Sequence, residues 1–224
     1  MDLSLQFGQV VEYIPYLLGG AWLSLQIAFL AFMGGMVIGL LCATAKTFGR
    51  GFWVRPIDAY VTFITNTPQL VQIYFIFFAL PEAGIVLSPY QALLLGMTIN
   101  AGGYLTQIQR GGFLSVHRNE LEAAYTVGFS LLQTVRYVIL PHIAKVLFPP
   151  LSNQYILMTL GTSMGAIVGV EELTGRAFNI ESETFRSIEI FSIAAVIYVA
   201  ITIIATAILV AIGRACFRAR MRVF

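Results

Sequence analysis

The chain has 224 residues, of which 58% are hydrophobic and only 11% are charged, and its formal net charge is +2. In an ordinary soluble domain about 25% of the residues are charged. The low charged fraction and the mean hydropathy of +0.82 therefore exclude such a domain. The composition therefore predicts an integral membrane protein, and no nucleic-acid partner is expected.

Five charge-poor segments are long enough to cross a membrane. A bilayer core about 30 Å thick needs about 20 apolar residues in a helix, and one central charge costs about 3 kcal/mol. The predicted spans cover about residues 16–45, 59–80, 88–109, 148–170 and 190–213. They predict an all-α fold, in which residues 1–224 form a single membrane domain built as a bundle of five transmembrane helices.

The basic residues predict which side of the membrane each loop faces. Eleven of the thirteen Lys and Arg residues follow the first, third or fifth span, and the positive-inside rule makes those segments cytoplasmic. The N-terminus is then outside and the C-terminus is cytoplasmic. No basic stretch with a small-residue cleavage site precedes the first span, so a removed signal peptide is not expected.

Polar side chains recur on one face of three predicted spans. In the second span they stand three or four residues apart, and Pro68 lies among them, where it should kink the helix. Gly96 and Ala166 are expected to serve helix packing, because small residues let membrane helices approach closely. Packing and a solute pathway both remain open for the larger polar residues. The pathway candidates are Asn66, Gln69, Gln72, Asn100, Tyr104, Gln107, Thr162 and Ser163.

Two common catalytic signatures are missing from the sequence. It contains no H-E-x-x-H zinc-protease motif and no G-x-x-x-x-G-K-[ST] phosphate-binding loop. His117 and His142 lack a metal-ligand spacing, and Cys42 and Cys216 lie toward the predicted cytoplasmic side, where thiols stay reduced. We expect no metal site, no bound cofactor and no enzymatic activity, so another chain would hydrolyse any ATP that drives this protein.

The loop over about residues 117–141 interrupts the membrane pattern with charges, a glycine and a proline. Its residues predict a short helix over Glu120–Tyr125, a turn at Gly128 and a second short amphipathic helix over Phe129–Leu140, closed by Pro141. Such a hairpin is too short to span the membrane and lies on the cytoplasmic side. One interpretation is an interfacial segment that touches lipid headgroups.

The same loop matches a long motif. Glu122-Ala123-Ala124, three residues, Gly128, nine residues and Val138-Ile139-Leu140-Pro141 resemble the E-A-A-x3-G-x9-I-x-L-P motif of ABC importer permeases. The resemblance implies a coupling-helix hairpin that transmits force from an ATPase. In this reading Glu122 is a polar anchor, the alanines permit close approach and Gly128 makes the turn. The implied coupling residues are Glu122, Ala123, Ala124, Gly128, Leu140 and Pro141.

Further segments narrow the resemblance to the polar amino acid uptake subfamily of these type I importers. Asn66–Gln72 is similar to its R-G-T-P-x-L-V-Q segment, Gly103–Gly112 to its A-Y-x-x-E-x-x-R-G-G segment, and Gly169–Leu173 to its G-x-x-E-L element. The resemblance implies a five-helix half-transporter of the bacterial inner membrane. Its implied partners are ABC ATPase subunits that use ATP and Mg, a second permease subunit and a periplasmic solute-binding protein.

Three positions depart from the subfamily pattern. Thr65, Gln107 and Leu160 stand where it often carries Arg, Glu and Lys. A zwitterion that leaves water needs a partner for each charge, because an unpaired buried charge is costly. We therefore expect an asymmetric pair in which a different permease supplies the charged groups. The alternative is that the three positions face lipid or packing surfaces.

The expected function is ATP-driven uptake of polar amino acids by alternating access. A permease for opines or other small polar solutes is the alternative within the same class. A secondary transporter or a channel would need coupling-ion carboxylates or a filter inside its spans. The predicted spans carry no central Asp or Glu, so that class is less favoured.

Overall fold

The structure is a computed structural model that describes residues 7–49 and 51–217. Within these residues the chain is helical and contains no strand, which confirms the all-α fold class. Four of the eleven basic residues that predict the orientation in the membrane lie outside the described residues: Arg50, Arg218, Arg220 and Arg222.

The α-helices follow one another along the whole described chain. They are α1 (Ile14–Phe48), α2 (Val54–Thr65), α3 (Gln69–Phe78), α4 (Pro89–Leu114), α5 (Arg118–Thr126), α6 (Leu131–Thr134), α7 (Leu140–Gly161), α8 (Leu173–Thr184) and α9 (Ser187–Phe217). Short 3-10 helices cover Phe7–Gln9, Val11–Tyr13, Gly51–Trp53, Leu80–Ala83 and Thr162–Val168, and Val135–Ile139 is a π-helical segment.

Three helical stretches of the described residues are apolar and long enough to cross a membrane. They are Phe7–Phe48, Leu131–Val168 and Ser187–Phe217, and Gln69–Phe78 is a shorter apolar helix. The first and fifth predicted spans lie within α1 and α9, and the third coincides with most of α4. The number of membrane crossings stays a prediction.

The second predicted span is two helices, not the single kinked helix expected around Pro68. Three consecutive side chains end α2, because Thr65, Asn66 and Thr67 each donate to the backbone carbonyl four residues earlier at 2.8 Å. Pro68 is extended, with φ −63° and ψ 134°, and α3 begins at Gln69. Side chains that satisfy the last carbonyls, followed by a residue without an amide hydrogen, end the first helix outright.

The fourth predicted span is α-helical over only part of its length. The helix α7 ends at Gly161 and continues as the 3-10 helix Thr162–Val168. Gly169 ends that segment with φ 85°, and its amide donates to the carbonyl of Ala166 at 3.2 Å. Gly165 lies between the other two glycines, and glycine is a poor α-helix former, which accounts for the change of helix type.

The described chain divides into two compact units. The first contains residues 7–33, Pro68–Thr98 and Tyr155–Ala207, and the second contains residues 34–49, 51–67, Ile99–Gln154 and 208–217. The four long helices α1, α4, α7 and α9 each contribute residues to both units.

The core of the first unit joins the start of α1 to α8 and α9. On α8 and α9 the buried residues stand three or four apart, so each helix turns one apolar face inward. These core residues are Val10, Leu17, Ala21, Leu173, Ala177, Ile180, Ile190, Ala194 and Ile197.

The second unit packs α1 against α4 through small residues. A side-chain carbon added to Gly35 would lie 2.5 Å from Cβ of Ala101, and one added to Gly39 would lie 2.9 Å from backbone and Cβ atoms of Leu105. The two backbones therefore approach closely, as small residues allow in membrane helices.

Candidate functional site

The first arm of the predicted hairpin is α5, whose nine residues carry charge on an exposed surface. Glu120 lies in its first turn, where a carboxylate is favourable for the helix dipole. Arg118 and Glu122 form an i,i+4 ion pair at 2.8 Å. Both side chains are mostly exposed, so this pair orients Glu122 more than it stabilises the helix.

Gly128 makes the turn between the two arms. Its φ is 82°, in the left-handed region that side chains disfavour. The amide of Gly128 donates to the carbonyl of Tyr125 and the amide of Phe129 donates to that of Ala124, both at 3.0 Å. This pair of bonds is a Schellman motif, which ends α5 and satisfies carbonyls that would otherwise lack partners. The turn expected at Gly128 is therefore confirmed.

A capping box begins the second arm, and the sequence analysis missed it. The amide of Ser130 donates to Oε1 of Gln133 at 2.8 Å, and the amide of Gln133 donates to Oγ of Ser130 at 3.4 Å. A serine followed three residues later by glutamine is a recognised helix-start signal, and it would have placed this boundary.

The second arm runs much further than the sequence predicted. After α6 the helix continues through the π-helical segment Val135–Ile139 directly into α7. The prediction of a short helix closed by Pro141 is therefore wrong, because Pro141 lies in the first turn of α7. The amide of Leu140 donates to the carbonyl of Val135, five residues earlier. Such a π turn adjusts the local bonding where Pro141 supplies no amide hydrogen.

Most of the predicted coupling residues lie on the surface. Glu122, Ala123, Gly128, Leu140 and Pro141 are exposed. Ala124 is buried, so it permits close packing inside the second unit rather than contact with a partner.

Large apolar side chains are exposed around the same turn. Large exposed apolar side chains grouped on one hairpin are typical of a protein interface or a membrane contact. Arg118 and Glu122 supply charges beside it. The exposed apolar residues of the hairpin are Tyr125, Val127, Leu131, Leu132, Tyr137 and Leu140.

Four pathway candidates lie in the first unit. Gln69 begins α3, and its Oε1 would lie 3.5 Å from a side-chain carbon added to Gly161, so its carboxamide faces the end of α7. Thr162 follows directly, is buried and donates to the carbonyl of Thr159 at 2.7 Å. Gln72 is buried and Ser163 is partly buried. The structure thus brings Gln69 close to the segment that carries Thr162 and Ser163.

Gly96 has the packing role expected for it in the same unit. A side-chain carbon added there would lie 2.8 Å from the side chain of Ile73 on α3. The helices α3 and α4 therefore approach closely at this point.

The other four candidates lie in the second unit. Asn66 is exposed, and its amide nitrogen donates to the carbonyl of Thr62 at 2.8 Å, which helps to end α2. On α4, Asn100 is buried, whereas Tyr104 and Gln107 are exposed. The sequence places these three residues on one face of α4. In the structure that face is buried at Asn100 and exposed at Tyr104 and Gln107.

The chain matches a protein family over most of its length. Residues 35–221 match the family described as binding-protein-dependent transport system inner membrane component. The glutamine transport system permease protein GlnP of Escherichia coli strain K12 is 40% identical over 198 residues, which cover 88% of this chain and 90% of that protein. The L-cystine transport system permease protein TcyB of Bacillus subtilis strain 168 is 34% identical over 192 residues, covering 84% and 80%.

A solved structure is similar to nearly the whole fold. The crystal structure of an amino acid ABC transporter with histidines matches with a TM-score of 0.87 and 30% sequence identity. The match covers 95% of this chain and 100% of that chain. The helical order described above is thus that of a transporter subunit.

Proposed function

This chain belongs to the family of binding-protein-dependent transport system inner membrane components, and we propose that it is the permease subunit of an ATP-driven ABC importer for polar amino acids. Its similarity to permeases named for glutamine and L-cystine supports this substrate class. In this proposal it is a multi-pass protein of the bacterial inner membrane, with its N-terminus outside and its C-terminus in the cytoplasm.

The observation that carries the proposal is the exposed hairpin formed by α5, Gly128 and α6. Its apolar residues and the Arg118–Glu122 pair offer a docking surface for an ABC ATPase. ATP and Mg are used by that separate chain, and this chain binds no cofactor. Closure of the ATPase dimer moves the hairpin, and the attached spans rock between outward-open and inward-open states.

Neutral polar groups are the substrate contacts that this chain offers. Each hydrogen bond from such a group contributes about 1 kcal/mol, which can orient an amino acid but does not neutralise it. The pathway residues proposed are Asn66, Gln69, Gln72, Asn100, Tyr104, Gln107, Thr162 and Ser163.

The charged groups for the substrate come from a second, different permease in this proposal. Thr65 donates to the carbonyl of Val61 at 2.8 Å, so its hydroxyl already serves the end of α2. Gln107 and Leu160 are exposed and uncharged. A periplasmic solute-binding protein delivers the amino acid to the pair.

Reconstitution tests the proposal. The chain, purified with its ATPase and permease partners, is inserted into vesicles with binding protein and radiolabelled glutamine outside and ATP on the ATPase side. We expect uptake that requires ATP hydrolysis and stops with a non-hydrolysable analogue. Uptake driven by an ion gradient without ATP would instead identify a secondary transporter and contradict the proposal.

A further inference from the structure

His142 connects three segments of the second unit through one imidazole ring. Its Nε2 lies 3.2 Å from Oγ of Ser115, which directly follows α4. Its Nδ1 lies 3.4 Å from Oε2 of Glu120 in the first turn of α5, and that oxygen is buried. His142 itself is the third residue of α7. A single side chain thus touches the hairpin, the end of α4 and the start of α7.

Each ring nitrogen of His142 lies against an oxygen atom. Ser115 donates its hydroxyl proton to the carbonyl of Gly112 at 2.7 Å, so it accepts from Nε2 of His142. Nδ1 faces a carboxylate oxygen, which can only accept while ionised. The contact between Nδ1 and Glu120 is an ion pair when the ring is protonated on both nitrogens, and it lies in a partly buried place.

The helix α5 buries little of its own surface. Of its nine residues, all of them described, Ala124 alone is buried. A helix this short is marginal by itself in water and depends on tertiary contacts. An alanine buries little surface, and the contact between Glu120 and His142 is a direct side-chain attachment of α5 to α7.

The covalent route from α5 to α7 passes through two irregular places. The first is the left-handed turn at Gly128, and the second is the π-helical segment Val135–Ile139, a type of distortion that is frequent at functional sites. His142 comes three residues after the π segment. The contact with Glu120 therefore joins α5 to α7 directly and bypasses both places.

We propose that His142 is a positioning residue, which fixes α5 to α4 and α7 so that movement imposed on the hairpin reaches the spans. The inference rests on the proposed function, since it assigns the hairpin to the ATPase. Without the His142 contact, α5 can follow the ATPase while Gly128 and the π segment absorb the displacement. ATP would then be hydrolysed with less import.

The test measures glutamine imported per ATP hydrolysed in the reconstituted complex. For His142→Ala and for Glu120→Gln we expect an intact complex, sustained ATP hydrolysis and a ratio lowered by about threefold to tenfold. The double variant should be no worse than His142→Ala, because the two side chains act through one contact. His117→Gln is the matched control, since His117 is an exposed histidine of the same loop whose side chain makes no capping bond.

A cross-link separates mechanical coupling from simple stabilisation. Cysteines replace Glu120 and His142 in a chain whose own Cys42 and Cys216 are changed to serine, and a short reversible bifunctional thiol reagent joins them. Joining should restore the ratio and reduction should lower it again, with complex assembly equal in both states.

Two results would overturn the inference. One is a normal ratio in His142→Ala, and the other is a ratio that does not respond to the cross-link, which also decides the matter if His142→Ala fails to assemble. Absence of ATP-dependent uptake by the unaltered chain is a different failure, since it removes the proposed function itself and the inference with it.

Discussion

Glu172 is a carboxyl group that the first unit encloses completely. Its Oε2 accepts hydrogen bonds from Tyr198 at 2.8 Å and from Ser24 at 3.1 Å, and its Oε1 accepts from the amide of Gly175 at 2.9 Å. Burial raises the pKa of Glu172, and the hydrogen bonds offset part of that increase. At the scale of one residue, this group therefore ties α1 and α9 to the start of α8, and its burial favours the neutral form over the charged form.

The raised pKa of Glu172 predicts a pH-dependent stability. Its contribution is fully present below the ordinary value of 4.5 and is lost as the pH rises through the higher value of the folded protein. We expect the purified chain to melt at a higher temperature near about pH 5 than near about pH 7.5, and Glu172→Gln to lose much of this difference. Thermal unfolding in detergent measures both. An identical pH response in the two proteins would show that Glu172 does not titrate in this range.

At the scale of whole elements, the approach of α1 to α4 depends on Gly39. Replacement with leucine forces a side chain into the backbone of Leu105, and we expect a loss of about 2 kcal/mol in stability. Gly111→Leu is the matched control, because Gly111 is an exposed helical glycine with no atom within 4 Å of the added carbon. Thermal unfolding followed by size-exclusion chromatography should show a lower melting temperature for Gly39→Leu than for Gly111→Leu. Equal melting temperatures would contradict the close packing inferred at Gly39.

The hairpin turn is the second element with a testable requirement. Gly128→Val should leave membrane insertion intact but weaken ATPase docking, because a β-branched residue resists a φ of 82°. Gly128→Asn is the control, since asparagine tolerates the left-handed region. Co-purification of the ATPase with each variant measures the effect. Normal assembly and transport by Gly128→Val would show that ATPase docking does not depend on this turn.

At the scale of the whole molecule, the distribution of basic residues predicts the orientation in the membrane. In a chain without its native cysteines, Glu82→Cys and Ser182→Cys should react with an impermeant thiol reagent from outside intact cells. Both positions are exposed. The native Cys216, kept alone, is exposed at the end of α9 and should be protected from that side. Labelling of Cys216 from outside would contradict the predicted orientation and favour the opposite one.

The proposed pairing with a different permease also belongs to this scale. Thr65, Gln107 and Leu160 leave this chain without the charges that the resembling subfamily often carries at those positions. Expression with the ATPase but without a second permease should therefore yield no amino acid import. A stable complex of two identical copies that imports glutamine would rule out the asymmetric pair.

The sequence predicted the elements that depend on local chemistry. The long apolar segments indicated α1 and α9, because a helix in a bilayer must be long and apolar over its whole length. Gly128 indicated its turn, since few other residues adopt a positive φ. The effects of Pro68 and Pro141 were predicted wrongly. A proline ends one helix and is accommodated in another according to the hydrogen bonds around it. Three side chains close the helix before Pro68, whereas a π segment carries the helix past Pro141.

By itself the sequence determined that the chain lies in a membrane, that its fold is all-α and that it carries the motif of its family, because composition and spacing are properties of the chain alone. Only the tertiary structure showed that Glu172 is enclosed and that His142 meets Glu120 and Ser115. These residues stand far apart along the chain, from 22 residues between Glu120 and His142 to 148 between Ser24 and Glu172. No local pattern encodes such meetings, since they depend on how distant helices pack against one another.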